Sequence, residues 1–387
     1  MPRKPYKILH VISGLNVGGA EMMLWRLLNH HRSNPDIRHS VVSLTTLGKV
    51  GEQLQQIGVE VHAVGMRANF NLLGAIFSLT RCIRLSSPDL VQTWMYHADL
   101  IGGIAAKLAR CKLVVWGIRC SDIPQVGLST TRMTIALCAF LSSRLPTKIV
   151  CCANAARRAH LAVGYAQSKM IVIPNGFNLA VFDPSTIDQD EARSNFGFQP
   201  NDIVVGNVGR YDRLKDQHTF VQAAMIIARK HRNVKFLMVG RDVEPSNLTL
   251  YRQISSSDFC DRFLLVGESS DVARCLASMN VFCLSSRKEG FPNVVGEAMA
   301  MQLPCVVTDA GDAADIVSDI GVVVEPGSAE GLAGGIEKMI NKGQAERRKL
   351  GALGRQRIEQ HYSIQRCAEA YEKLYSTLID EERSSQT

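Results

Sequence analysis

Short β-branched apolar runs alternate with helix-length amphipathic segments along almost the whole chain. In the first half, KILHVIS (7–13), HSVVSLT (39–45), VEVHAVG (59–65), DLVQTW (89–94), KLVVWGI (112–118), KIVCCA (148–153) and KMIVIPNG (169–176) predict seven strands. A second series, DIVVGNVG (202–209), VKFLMVG (234–240), FLLVG (263–267), VFCLSS (281–286), PCVVTD (304–309) and GVVVEPG (321–327), predicts six more. Apolar strands separated by helices are the mark of parallel sheets covered on both faces, so the fold class is α/β with two doubly wound, Rossmann-like domains. The polar stretch 178–200, with Pro184 and a run of acids, reads as the connection between them. Near the end, Ile364, Ala368, Tyr371, Leu374, Tyr375 and Leu378 recur close to helical spacing and predict a closing amphipathic helix over 363–378.

Bulk properties agree with this division. At 387 residues and 46% hydrophobic content the chain is too long for one ordinary core. No apolar run reaches the length of a membrane span, and the start MPRKPYKILHVISG enters a strand pattern without a signal region, so a cytoplasmic protein is expected. Eleven cysteines include no CxxC pair, and Cys151, Cys152, Cys283 and Cys305 sit inside apolar runs. They read as small buried hydrophobes in a reducing compartment.

The net charge of +8 hides an asymmetry. Residues 1–180 carry 20 Lys plus Arg against 7 Asp plus Glu, whereas the remainder carries 24 against 29. A basic half suits anionic lipid head groups or a lipid-linked diphosphate; nucleic acid is not expected, because the chain has no aromatic-rich basic patch, zinc-finger spacing or long basic run. Within that half, segment 127–148 joins an apolar centre to Arg132, Arg144 and Lys148. It reads either as a helix lying on a membrane surface or as an ordinary core-facing helix.

Three clusters carry candidate chemistry. Gly14, Gly18 and Gly19 follow the first predicted strand and precede a helix from Ala20 to about Leu28, where backbone N–H groups can approach a phosphate. The spacing is not GxGxxG and no acid ends the second strand, which disfavours a nicotinamide dehydrogenase; a turn that merely packs helix on sheet stays open. Arg210 and Lys215, in GRYDRLK after the eighth predicted strand, could stabilise a diphosphate leaving group, or could be solvated surface cations. EGFPNVVGE places Glu289 in a loop after a strand and Glu297 about one turn into the helix opened by Phe291, Pro292 and Asn293, at the carboxyl end of a parallel sheet where ligands bind. The plainer alternative is a first-turn acid and a solvated one.

Taken together and in order, Gly18-Gly19-Ala-Glu21, VIPNGF (172–177), Gly209-Arg210 with Lys215, and EGFPNVVGE resemble family 4 of the retaining glycosyltransferases, and the resemblance spans nearly the whole chain. It implies the GT-B architecture: two facing Rossmann-like domains with a cleft between them and a C-terminal crossing helix. The acceptor domain would be 1–177, the nucleotide-sugar domain 178–362, and 363–387 a helix packing back on the first. By the same resemblance Arg210 and Lys215 hold the donor diphosphate, Glu289 the transferred sugar and Glu297 the ribose. Backbone groups of Phe291, Pro292, Asn293 and Val294 bind sugar hydroxyls, the Gly18-Gly19 loop closes near the phosphates, and Gly267 with Glu268 forms a wall for the base.

The implied reaction is transfer of a hexose or N-acetylhexosamine from a nucleotide-diphosphate sugar, a UDP-sugar being the expected donor, to a glycan or polyprenol-diphosphate-linked acceptor of a surface polysaccharide. It implies retention of configuration, no required metal and no separate cofactor, at the inner face of the membrane. The Asp-x-Asp at Asp188 and Asp190 reads as a helix cap, not a metal site. One departure stands out: where many relatives carry a histidine, VVWGIRCSD offers Arg119 and Asp122, and His97 in WMYHAD is the nearest histidine. These three are placed on the acceptor side with no base assigned. An epimerase, a phosphorylase or a silent binding module on the same fold are the alternatives.

Overall fold

The computed structural model describes residues 4–66, 72–123 and 130–385. The chain divides into two compact units, Met1–Gly176 together with Ile364–Thr387, and Phe177–Ser363.

In the first unit, strands β1 Tyr6–Ile12, β2 Ile37–Ser43, β3 Glu60–Ala63, β4 Leu90–Trp94, β5 Val114–Ile118, β6 Lys148–Cys151 and β7 Met170–Val172 form one parallel sheet in the order β3-β2-β1-β4-β5-β6-β7. Helices α1 Gly19–His31, α2 Gly48–Gln56, α3 Leu72–Ser86, α4 Tyr96–Leu108, α5 Thr130–Leu141 and α6 Asn154–Ala162 fill the crossovers. The strand order reverses between β1 and β4, whose carboxyl ends therefore flank a topological switch point. All seven predicted strands are present. The last is shorter than its apolar run because Pro174 has no N–H to continue the ladder beyond Ile173, which donates to Cys151 O at 3.0 Å.

The second unit opens with α7 Gln189–Asn195 and continues β8 Ile203–Val208, α8 Gln217–Lys230, β9 Val234–Val239, α9 Leu248–Ser255, β10 Phe263–Leu265, α10 Val272–Ala277, β11 Val281–Leu284, α11 Asn293–Ala300, β12 Cys305–Thr308, α12 Ala313–Val317, β13 Val322–Val324, α13 Ala329–Asn341 and α14 Gly343–His361. Its parallel sheet runs β10-β9-β8-β11-β12-β13, so the switch point lies between β8 and β11. Stretch 178–200 is built into this unit instead of hanging loose: buried Arg193 donates to the carbonyls of Ser278, Gln199 and Asp202. Asp188 caps α7, accepting from the N–H groups of Asp190 and Glu191, which is the role its sequence context suggests. The eleven cysteines are all free thiols and most are buried.

The closing helix α15 runs Ile364–Ser384, six residues past the predicted end. The extra turns carry little apolar signal, but their polar side chains are tied to the first unit: Tyr6 Oη donates to Asp380 at 3.0 Å, and Arg383 pairs with Asp89 at 3.0 Å. Further up, Tyr371, Tyr375, Leu378 and Ile379 enter the core beneath β1 and β4.

That core contains a buried polar thread. The Trp94 indole donates to His10 Nδ1 (3.1 Å), His10 Nε2 meets His39 Nδ1 (2.9 Å), and His39 Nε2 meets His31 Nδ1 (2.9 Å). His31 Nε2 then lies 3.2 Å from Glu372 Oε1, without the alignment of a full hydrogen bond. An indole can only donate, so each ring accepts at Nδ1 and donates from Nε2 along the whole thread. Burial, and then the neighbouring His31, pulls His10 down to about 3; burial, and then His30, pulls His31 down to about 4; His39 is lowered in the same direction, again mainly by burial. The three imidazoles are therefore neutral in the folded protein.

Candidate functional site

The site in the second unit forms where β8 and β11 part. Gly209 donates its N–H to Val239 O at 2.8 Å, and Gly240, at φ +149, leaves room for that approach: a Cβ there would stand 2.2 Å from Gly209 O. The following loop projects Arg210 outward and folds over Asp212, which accepts from Arg210 Nε (3.2 Å) and from the Leu214 N–H (2.8 Å). Burial alone would raise the Asp212 carboxyl, but the Leu214 N–H and Arg210 outweigh it and hold the group ionised below its usual range. Asp216, at φ +50, caps α8 through the Thr219 N–H and takes Arg287 Nε at 2.7 Å.

From the other side of the switch point, the end of β11 reaches into the same loop. Ser285 Oγ donates to Lys215 O (2.9 Å), and Arg287 N donates to Leu214 O (2.7 Å). These bonds set the Lys215 backbone, and its ammonium then meets Glu289 Oε1 at 2.6 Å. Buried Ser286 donates its hydroxyl to the same oxygen, also at 2.6 Å. The Glu289 backbone is braced from behind by Gly311. This glycine sits at φ +65, where a Cβ would fall 2.4 Å from Gly290 O and 2.5 Å from Glu289 O. Asp312 N donates to Gly290 O (3.0 Å), completing the brace.

Pro292 occupies the cap position of α11, which begins at Asn293, and Glu297 is half-buried on its second turn. The orientation of this short helix is set by aromatic packing. Phe291 stacks on Phe177 (6.0 Å between ring centres) and meets Tyr362 (5.7 Å), while Gly296 lies so close to Phe177 that a Cβ would overlap its ring. At the end of β10, Gly267 is in the left-handed region (φ +77) and accepts the Gly240 N–H, with Glu268 exposed beside it. Arg210, Lys215 and Glu289 thus share one loop cluster. Gly267, Glu268, Val294 and Glu297 occupy the same carboxyl edge of the sheet, which is the ligand-binding edge of an open α/β sheet.

In the first unit, Gly18 caps α1 in an extended conformation and Glu21 curls back over it, its carboxylate 2.4 Å from where a Gly18 Cβ would be. Burial raises the Glu21 pKa. The helix N-terminus at Gly18 and Gly19 is therefore next to an acid from its own first turn. His97 sits at the start of α4, half-buried, its pKa lowered by burial, two residues after Met95 at φ +74. A non-glycine residue in that region stores strain of roughly 1–3 kcal/mol. Arg119 is turned inward: it donates to Asn175 Oδ1 (2.7 Å) and Tyr371 Oη (3.2 Å), and its guanidinium lies 4.8 Å from the Trp94 ring centre. Asp122 is exposed three residues on. Residues 127–129 of segment 127–148 lie outside the described residues, and the rest contains α5. Among the described residues no helix is long and apolar enough to cross a membrane.

Sequence reasoning did not single out Asp212, Asp216, Arg287, Gly240 or Gly311, and it read Ser285 and Ser286 only as the end of a strand. The spacing of the acids in RYDRLKDQ was the available signal, since a loop with three cations and two short acids tends to be internally braced.

Both halves of the chain match known families. The family model described as Glycosyl transferases group 1 matches residues 188–357, and the model described as Glycosyltransferase Family 4 matches residues 17–181. The chain is 28% identical over 349 residues to a capsular polysaccharide biosynthesis glycosyltransferase, CapM, of Staphylococcus aureus, covering 86% of this chain and 89% of that one. It is 27% identical over 238 residues to the UDP-Gal:alpha-D-GlcNAc-diphosphoundecaprenol alpha-1,3-galactosyltransferase of Escherichia coli, covering 61% of each. Among solved structures, Anabaena HepE in complex with UDP and glucose superposes with a TM-score of 0.82 at 22% identity, over 96% of this chain and 100% of that one. With both halves matched and the two parallel-sheet units in place, the chain belongs to the group 1 glycosyltransferases of family 4, nucleotide-sugar-dependent enzymes with the GT-B fold.

Proposed function

We propose that the protein transfers a hexose or N-acetylhexosamine from a UDP-sugar to a glycan or polyprenol-diphosphate-linked acceptor during surface polysaccharide assembly. Transfer proceeds with retention, without a required metal, at the inner face of the membrane. Residues 178–362 hold the donor, 1–177 the acceptor, and 363–387 complete the acceptor domain. The observation that carries the reading is the Lys215, Ser286 and Glu289 cluster at the β8/β11 switch point, with Arg210 beside it. The S. aureus and E. coli relatives support the pathway and the kind of acceptor, and the UDP-bound HepE supports the nucleotide.

In this mechanism the anomeric carbon–oxygen bond breaks and negative charge grows on the departing diphosphate. Arg210 and Lys215 stabilise that charge more strongly than they stabilise the intact donor, which is what lowers the barrier. Glu289, held by Ser286, accepts a hydroxyl of the transferred sugar and fixes the ring. Glu297 accepts from the ribose, and the N–H groups at the start of α11 bind sugar oxygens. The acceptor hydroxyl adds to the anomeric carbon on the face the diphosphate leaves, and its proton passes to the leaving phosphate oxygen. His97, Arg119 and Asp122 lie toward the acceptor, with Arg119 acting through the frame it braces.

The test is a thermal-shift titration with nucleotide diphosphates and their sugars, with and without EDTA, on wild type and on Glu297→Ala, followed by the anomeric configuration of the product. Stabilisation by UDP and one UDP-sugar that EDTA does not alter and the variant loses supports the reading. Strict metal dependence, or an inverted product, defeats the corresponding part.

A further inference from the structure

Helices α3 and α5 pack on either side of α4 over one face of the first sheet, and neither carries an Asp or Glu. Each is apolar on two faces. Inward, α3 buries Ala75, Leu79 and Ile83, and α5 buries Ile135, Cys138 and Ala139. Outward, α3 exposes Leu73 (78%), Phe77 (73%) and Leu85, while α5 exposes Met133 (64%), Leu137 and Phe140 (67%). With Leu72, seven of the fifteen exposed large apolar side chains among the described residues fall on these two helices, so this is a concentration and not ordinary scatter. The charges interleaved with them are all positive: Arg81, Arg84 and Arg132 on the helices, and Arg144 just beyond, its guanidinium 5.8 Å from the Phe140 ring centre.

We infer that this face is a docking surface for an anionic lipid bilayer, with Leu73, Phe77, Met133 and Phe140 entering the acyl boundary and the arginines lying at the head groups. The chemistry selects that occupant. Large apolar side chains ringed by cations and free of acids match a surface that is apolar beneath and negative on top. A second copy of the chain is the poorer fit, because a two-fold contact through this patch would set its arginines against themselves. Spanning is excluded by length: helices of 15 and 12 residues are about 22 and 18 Å long, short of a hydrocarbon core of about 30 Å. The surface deepens the proposed function by bringing the acceptor domain to where a polyprenol-linked acceptor resides.

The test uses the full chain and co-sedimentation with vesicles of phosphatidylcholine alone or mixed with phosphatidylglycerol. Wild type should partition at least about tenfold more strongly onto the anionic vesicles. Leu73→Ser with Phe77→Ser, or Met133→Ser with Phe140→Ser, should each weaken that binding by about tenfold or more, and Arg132→Glu with Arg144→Glu should abolish the preference for anionic lipid. All variants should keep the thermal shift given by UDP, which separates this inference from the donor reading: a lost shift with intact vesicle binding counts against the donor site alone. Wild type that binds neither vesicle, or apolar variants that bind as wild type does, overturns the inference. A concentration-dependent dimer that the serine variants abolish also overturns it, assigning the face to a second copy.

Discussion

The histidine thread makes a quantitative prediction about acid stability. His10 and His31 bind a proton near pH 3 and pH 4 in the folded protein, against 6.5 when unfolded, and His39 shifts the same way. Between pH 6 and 5 the unfolded chain therefore takes up protons at these rings that the folded chain does not. Stability is present above pH 6.5 and is lost as pH falls below it, at about 1.4 kcal/mol per pH unit for each ring. Asp99 works in the opposite sense. Buried at the base of α4, its carboxyl is pushed up to about 8, against the hydrogen bonds from the Thr93 hydroxyl and the Gly117 N–H. It keeps a proton that the unfolded chain has released, and so subtracts about 1.4 kcal/mol per unit between pH 4 and 8.

Three rings against one carboxyl leave a net fall of about 2–3 kcal/mol from pH 6 to pH 5, a large part of ordinary domain stability. Urea unfolding followed by tryptophan fluorescence measures it, because Trp25, Trp94 and Trp116 are all the tryptophans of the chain and all lie in the first unit. His31→Asn, which keeps an acceptor for His39, should reduce the fall by about 1.4 kcal/mol, and Asp99→Asn should steepen it by a similar amount. Profiles of wild type and His31→Asn that run parallel from pH 7 to 5 would refute the thread as the source.

Other predictions concern the site and its frame. Lys215→Ala should lower kcat by about 100- to 1,000-fold, and Ser286→Ala, which removes one donor to Glu289, by about tenfold; steady-state kinetics with the donor identified by thermal shift reads both. Gly311→Ala forces a Cβ against the Glu289 and Gly290 carbonyls, so kcat should fall about tenfold and the melting temperature should also drop, the φ of +65 adding about 1 kcal/mol of strain. An unchanged kcat in that variant would remove Gly311 from the frame. Asp188→Ala deletes the α7 cap and should cost about 1 kcal/mol by urea unfolding while activity stays at the wild-type level; a loss on EDTA-sensitive activity would instead make the Asp-x-Asp a metal site.

How much of this could be read from the chain follows the range of the interactions. Strands such as 203–208 and 281–284 are legible because a strand buried on both faces must be apolar at nearly every position, whatever lies around it. The placement of the glycines, the two cations and the paired glutamates beside strand ends was legible too, since each follows closely on a strand's apolar run. The polar end of α15 was not, because Asp380 and Arg383 find their partners, Tyr6 and Asp89, 374 and 294 residues away.

By itself, then, the order of residues determined thirteen strands, their grouping into two parallel sheets, and the chemical inventory at their carboxyl ends. Those depend on local pattern and on the short, one-handed crossovers that parallel strands require. Only the tertiary structure decided that Ser286 and Lys215 converge on one oxygen of Glu289, that Gly311 braces that loop, that Arg119 turns inward, and that three distant histidines form one neutral thread. Each of these depends on which strands become neighbours at a switch point, a long-range choice that no local pattern encodes.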